Sequence, residues 1–169
     1  YLNKNGKIFD PQSGLMDLKN NTVKFIGDPE KRIQEDYLRI IRFIRFSIFY
    51  NHSPEKTTIG ALKINLNGIK NLSRERIFDE FKKILKIKNF LNINDSKEIK
   101  DLFEIIFPEL KYLNRVKYIK KINSEIIINP TLLISLMVLD KSSNYEYFCH
   151  KYKTSNNLKE KLSNFHKTY

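Results

Sequence analysis

Residues 35–43 read Glu-Asp-Tyr-Leu-Arg-Ile-Ile-Arg-Phe, two carboxylates and two guanidiniums in an otherwise apolar run, and Arg45 extends the series. Residues three apart on a helix are neighbours. A helical reading therefore stands Asp36 beside Arg39, with Arg42 and Arg45 continuing the row. Such a pair offers one hydrogen-bond acceptor next to one rigid donor fork. A nucleobase edge can be its complement. Cytosine sets the acceptors O2 and N3 beside its N4 amino group, and adenine sets N1 beside its N6 amino group. Guanine and uracil reverse the polarity at the critical atoms. A buried polar group left unpaired costs about 1–3 kcal/mol, so the pair is a physical route to choosing C and A over G and U. A plain Asp36–Arg39 ion pair, with Arg42 and Arg45 reaching for solvent, uses the same residues. Exposed pairs of that kind are common and contribute about 0–1 kcal/mol. The surroundings must decide.

The arginines are not scattered. The chain has 24 Lys and 7 Arg, and six of the arginines (32, 39, 42, 45, 74 and 76) fall between residues 32 and 76. A chain that meets its general need for positive charge with Lys has kept the planar fork in one window. The net charge of +12 and pI near 9.6 favour a polyanionic partner, nucleic acid or an acidic membrane surface. A Lys-, Asn- and Ile-rich compositional drift explains the same charge without any partner.

These side chains need elements to hold them. The 169 residues suit one domain or two small helical ones, and 41% hydrophobic content is enough for a core. No run approaches the ~18 apolar residues of a membrane-spanning helix, so no membrane partner is expected. The first residues are neither a signal peptide nor a basic leader. They lack an initiator Met, so the chain is expected to be a piece of something longer. The lone Cys149 rules out an internal disulfide and makes a reducing cytoplasm the default location.

Residues 7–9, 15–18 and 22–26 are short β-favouring runs between Asn, Gly, Asp and Pro, and are expected to be strands at the edge of a larger sheet. From Asp28 the pattern turns helical. Asp28 caps and Pro29 opens a helix whose apolar pattern runs to Tyr50. Further helices are expected at 57–66, from Ser73 through SRERIFDEFKKILKI, and at 96–107, 112–127, 130–140, 143–153 and 156–167. The expected fold is mainly α: N-terminal strands, then a multi-helix arrangement with a boundary near residues 89–95.

Three segments carry a resemblance. Residues 10–18, Asp-Pro-Gln-Ser-Gly-Leu-Met-Asp-Leu, resemble the D-P-x-x-G-x-x-D-L hinge of the class II CCA-adding tRNA nucleotidyltransferases and the related bacterial poly(A) polymerases. Residues 27–43, GDPEKRIQEDYLRIIRF, are similar to that family's neck signature, G-D-P-x-x-R-I-x-E-D-x-x-R-x-x-R. Residues 73–85, from Ser73-Arg74-Glu75-Arg76-Ile77 through Glu80, Lys83, Ile84 and Leu85, resemble its S-x-E-R-I-x-x-E-x-x-K-I-L helix. The three agree in order and spacing over about half the chain. The tail from about residue 95 resembles the family's body only in being helical and basic.

The resemblance implies three regions: 1–27 as the remnant of a nucleotidyltransferase head and hinge, 28–92 as a neck carrying the base template, and 93–169 as an RNA-binding body. It implies that Asp36 and Arg39 face the incoming base while Glu35 holds Arg39. Arg32 and Arg42 would order that pair or reach the ribose and phosphates. Arg76, Glu75, Asp10 and Gly14 would support the neck. In the family an RNA 3′-hydroxyl, expected to be that of tRNA, attacks the α-phosphate of CTP or ATP and pyrophosphate leaves. Mg²⁺ for that step is held by an Asp-x-Asp pair in the head. No Asp-x-Asp occurs in this sequence, so the metal and a head segment are expected to come from elsewhere. One position departs from the pattern: Tyr37 stands where the family usually has Pro. Proline would start a new helix, whereas Tyr is expected to let the preceding turn run on and so to alter the angle of Asp36.

Weaker candidates remain. Lys117, Lys120 and Lys121, and Lys151 and Lys153 among Tyr145, Tyr147, Phe148 and Tyr152, could meet phosphates and stack bases. A solvated face and an aromatic core explain the same residues. His52, His150 and His166 stand apart, with no metal-site spacing. Cys149 reads as a packed residue. The rival to a nucleotidyltransferase part is a non-catalytic basic helical RNA-binding module left by truncation or gene splitting; a basic scaffold with no nucleotide site is a third reading.

Overall fold

The chain enters its first helix where a strand is expected. The computed structural model describes Leu2, residues 4–119 and residues 129–168. In it, Asp10 turns its carboxylate back on the backbone. Its Oδ1 accepts from the Gly14 amide at 2.8 Å and its Oδ2 from the Leu15 amide at 2.9 Å. With these amides satisfied and Ser13 left-handed (φ 57°), the next residues wind into α1 (Gly14–Lys19). Residues 15–18 are thus helix, a correction to the sequence-based expectation. Among the described residues there is no strand at 7–9 or 22–26 either; the one trace is an antiparallel bridge between Leu2 and Ile8. A strand needs a neighbour for its backbone groups, whereas a carboxylate cap acts locally.

Capping fixes the next start as expected. The Asp28 carboxylate accepts from the Lys31 amide at 2.9 Å, and Pro29 takes the first helical position of α2 (Pro29–Glu35). The helix does not run on through Tyr37. Asp36 is extended (φ −156°, ψ 103°), and α3 (Leu38–Tyr50) starts afresh. Asp36 Oδ1 accepts from the Leu38 amide at 3.1 Å, its carbonyl takes the Arg39 amide, and Tyr37 packs its ring against Gly68. The chain breaks there without a proline.

The remaining elements follow in order. α4 (Lys56–Asn65) leads into a 3-10 turn at Leu66–Asn71. Ser73 caps α5 (Arg74–Leu85), accepting from the Arg76 amide at 3.3 Å. A 3-10 stretch, Lys88–Asp95, buries Phe90 and Ile93 and connects to α6 (Lys97–Ile106). Of the helix expected at 112–127, the described part is a 3-10 turn at Leu113–Tyr118, and residues 120–128 lie outside the described residues. α7 (Pro130–Val138), α8 (Asn144–Lys151) and α9 (Asn156–Lys167) complete the order, with Ser155 capping α9.

One buried cluster runs from Ile33 to Leu162. In it α3 packs on α5 and α6, α2 on α4, and α9 on α7 and α8. Phe78 and Phe81 of α5 interlock with Phe103, Phe107, Phe148 and Tyr152, with ring centroids 4.9–6.2 Å apart. The core therefore passes without interruption across residues 92 and 93. No helix among the described residues is long and apolar enough to cross a membrane.

Candidate functional site

The end of α2 and the start of α3 bring three of the expected side chains together. Glu35 Oε2 accepts from Arg32 Nη1 and from Arg39 Nη1, each at 2.6 Å. Arg39 Nη1 also donates to the Arg32 carbonyl at 2.6 Å. That carbonyl belongs to the last turn of α2, where helical acceptors lack helical partners. One terminal nitrogen of Arg39 is thus pinned twice. Among the described residues no hydrogen bond engages its Nη2 or Nε, and its side chain is 28% exposed. A donor edge of a fixed guanidinium stays open. The hydrogen bond from Arg39, then that from Arg32, holds the Glu35 carboxyl below its usual range.

Asp36 does not stand beside Arg39 on one helix. It lies in the break, and its carboxylate shares no ion pair with Arg39 among the described residues. Instead, Oδ1 takes the Leu38 amide, and Arg76 Nη2 lies 3.3 Å from both carboxylate oxygens. Charge-assisted bonds of this kind usually run about 2.7–2.9 Å, so Arg76 holds Asp36 loosely. A carboxylate has about four lone-pair directions, and Asp36 is 27% exposed, which leaves it able to accept from an incoming amino group.

Arg42 and Arg45 do not simply reach for solvent, although Arg42 keeps nearly half of its side chain exposed. Both turn to Glu80 of α5, at 3.5 and 2.9 Å, and Lys83 joins them at 2.9 Å. Glu80 is only 2% exposed. Burial alone would raise its carboxyl, but Lys83 and Arg45 outweigh it and hold it below the usual range. Sequence reasoning placed Glu80 in a motif and missed this junction. The available signal was a carboxylate on the apolar stripe of Ile77, Phe81 and Ile84, opposite a row of arginines.

The supporting and weaker candidates divide. Arg76 links α5 to the break through Asp36, and Glu75 pairs with Lys153 at 2.9 Å. Asp10 and Gly14 shape α1. Lys117 lies 5.2 Å from the Tyr118 ring centroid, while Lys120 and Lys121 lie outside the described residues. Lys151 turns inward: it donates to Glu109, which also accepts from the Tyr152 hydroxyl at 3.1 Å. Burial, with the charge of Glu109, pushes the Tyr152 hydroxyl well up, so it serves as a donor. Tyr145, Phe148 and Tyr152 are buried and Tyr147 is exposed, so three of these four rings belong to the aromatic core rather than to a stacking row. Glu109 went unrecognised because its partners lie 42 and 43 residues further on. Cys149 is buried, and burial raises its thiol. Among the described residues no three His, Cys, Asp or Glu side chains could hold a metal. They do not fit the Mg²⁺ that the family's head would hold.

The sequence has relatives. Residues 53–113 match the family described as "Probable RNA and SrmB- binding site of polymerase A". The chain is 43% identical over 97 residues to the mitochondrial CCA tRNA nucleotidyltransferase 1 of Homo sapiens, covering 54% of this chain and 22% of that protein. It is 30% identical over 177 residues to the CCA-adding enzyme of Staphylococcus haemolyticus, covering 98% of this chain and 40% of that enzyme. With the CCA-adding enzyme of Lactobacillus helveticus it shares 34% identity over 124 residues, 66% of this chain and 31% of that enzyme. The chain thus spans well under half the length of these curated relatives. It belongs to the family of CCA-adding enzymes and poly(A) polymerases, matching its C-terminal part. The second match also carries the similarity past residue 95, through the Lys-rich tail.

Proposed function

We propose that this chain supplies base selection and RNA binding to a cytoplasmic nucleotidyltransferase that adds C and A to RNA 3′ ends, with tRNA as its substrate. Arg39, pinned by Glu35 and the Arg32 carbonyl, donates its open edge to N3 and O2 of cytosine or N1 of adenine. Asp36 accepts from the N4 or N6 amino group. The observation that carries this reading is the pinned Arg39 with its free donor edge. The net charge of +12 and the RNA-binding description of the matched family support the RNA role. That the relatives are named for CCA addition supports a reading in which both C and A are added rather than A alone. The phosphoryl chemistry belongs to a head segment with the Asp-x-Asp pair and Mg²⁺: the RNA O3′–Pα bond forms, the α–β phosphoanhydride bond breaks, and pyrophosphate leaves.

The test is nucleotide incorporation by the complete enzyme with each of CTP, ATP, GTP and UTP. Asp36→Ala and Arg39→Ala each abolish the preference for C and A. A preference that survives both substitutions overturns the base-selecting role. RNA binding by this chain without any distinction among the four triphosphates would favour a non-catalytic RNA-binding module.

A further inference from the structure

The break between α2 and α3 is shaped by a residue in neither helix. Gly68 sits in the Leu66–Asn71 turn, and a β-carbon built on it would fall 2.1 Å from Cδ1, 2.1 Å from Cε1 and 2.4 Å from Cγ of Tyr37. Side-chain carbons do not approach that closely, so the edge of the Tyr37 ring rests directly on the glycine. Gly68 is not in the left-handed region. Its requirement is space for the ring rather than backbone freedom.

That contact fixes a backbone shape. Tyr37 has φ −60° and ψ −16°, and Asp36 before it is extended. A proline at position 37 imposes a φ of about −65° and pushes the residue before it towards extended conformations. The Tyr37 amide donates to no carbonyl among the described residues, so it makes no bond that a proline would lose. Packing of Tyr37 on Gly68 thus produces by contact the turn that a proline ring produces covalently. This turn directs the Asp36 carboxylate to the Leu38 amide and Arg76, and its carbonyl to the Arg39 amide.

We propose that Gly68 is a positioning residue for base selection and acts through Tyr37, whose ring it admits to hold the turn that orients Asp36. This rests on the base-selecting role of Asp36 and Arg39 proposed above.

The test is a double-mutant cycle in the complete enzyme: wild type, Gly68→Ala, Tyr37→Pro, and both together. The readout is the ratio of C and A incorporation to G and U incorporation, with RNA affinity measured alongside. Gly68→Ala is expected to lower the ratio about tenfold or more with RNA affinity unchanged. In the Tyr37→Pro background the same change is expected to alter the ratio less than about twofold. Equal effects in both backgrounds overturn the proposal, because Gly68 would then act by another route. An unchanged ratio in Gly68→Ala, with Asp36→Ala still abolishing it, overturns the proposal and leaves base selection standing. A ratio indifferent to Asp36→Ala and Arg39→Ala instead defeats base selection itself. A second measurement covers a Gly68→Ala protein that fails to fold. In NMR spectra of this chain, the Gly68 Hα resonances are expected to show a ring-current shift that disappears in Tyr37→Leu, together with shifts at the Asp36 and Arg39 amides. Absence of that ring-current shift overturns the proposal.

Discussion

Glu35 and Arg39 are joined across a helix break: the last residue of α2 lies 2.6 Å from a guanidinium nitrogen in the first turn of α3. Because Glu35 is half exposed, the contact orders a side chain more than it stabilises the fold. Glu35→Gln is expected to weaken discrimination between C or A and G or U, by less than Arg39→Ala does, with the melting temperature little changed. Incorporation ratios and thermal melts read the two effects separately. The folded carboxyl lies below its usual value, so the contact is complete above the ordinary carboxylate range. It is lost as the pH falls through that lower value.

Glu80 carries the opposite balance. It is buried under Arg42, Arg45 and Lys83, so Glu80→Ala leaves those cations without their shared partner. The partners keep partial access to water, which places the expected loss at about 1–3 kcal/mol in denaturant unfolding. Its depressed folded value means that its contribution is full above about pH 4.3, the unfolded carboxyl value, and is lost as the pH falls through the folded one. Stability of Glu80→Gln is expected to vary less over that acid window.

Lys151 and Lys153 separate by role. Lys151→Ala leaves the Glu109 carboxylate, which is 4% exposed, with the Tyr152 hydroxyl but without its cation, and is expected to cost about 3 kcal/mol of stability with little change in RNA affinity. Lys153→Ala is expected to keep the melting temperature and to weaken RNA binding, lowering the slope of log affinity against log salt by about 1. Fluorescence anisotropy across a salt series distinguishes them.

Cys149 is expected to be inert in the folded protein. Burial raises its thiol, which leaves little thiolate at neutral pH. Labelling with a thiol reagent should be slow in buffer and complete on adding denaturant. Rapid native labelling would mean that α8 opens readily.

Helix starts were legible because their causes are local. Asp28, Ser73 and Ser155 lie three residues from the amides they cap, and Pro29 and Pro130 each take the first position of their helix. The Asp36 break was not, because its determinants are Gly68 and Arg76, which the chain brings back from 31 and 40 residues away. Residues 15–18 read as a strand for a related reason: a short apolar run suits a strand or a helix, and the carboxylate that decides it is Asp10. Spacing revealed the arginine row but not its destination, since nothing in the residues around Arg42 points to Glu80. Lys151 reads as a surface lysine until Glu109 is folded against it.

The single core has a consequence for grafting. The α2–α3 break takes its guanidinium and its ring platform from residues 76 and 68, and the arginines of α3 take their carboxylate from residue 80. A chimera that exchanged only residues 27–46 with a relative would receive arginines without the acid they pair with. The smallest portable unit runs from α2 through α5. Even that unit would arrive with Phe78 and Phe81 uncovered, because the rings that cover them belong to α6, α8 and the residues just beyond them.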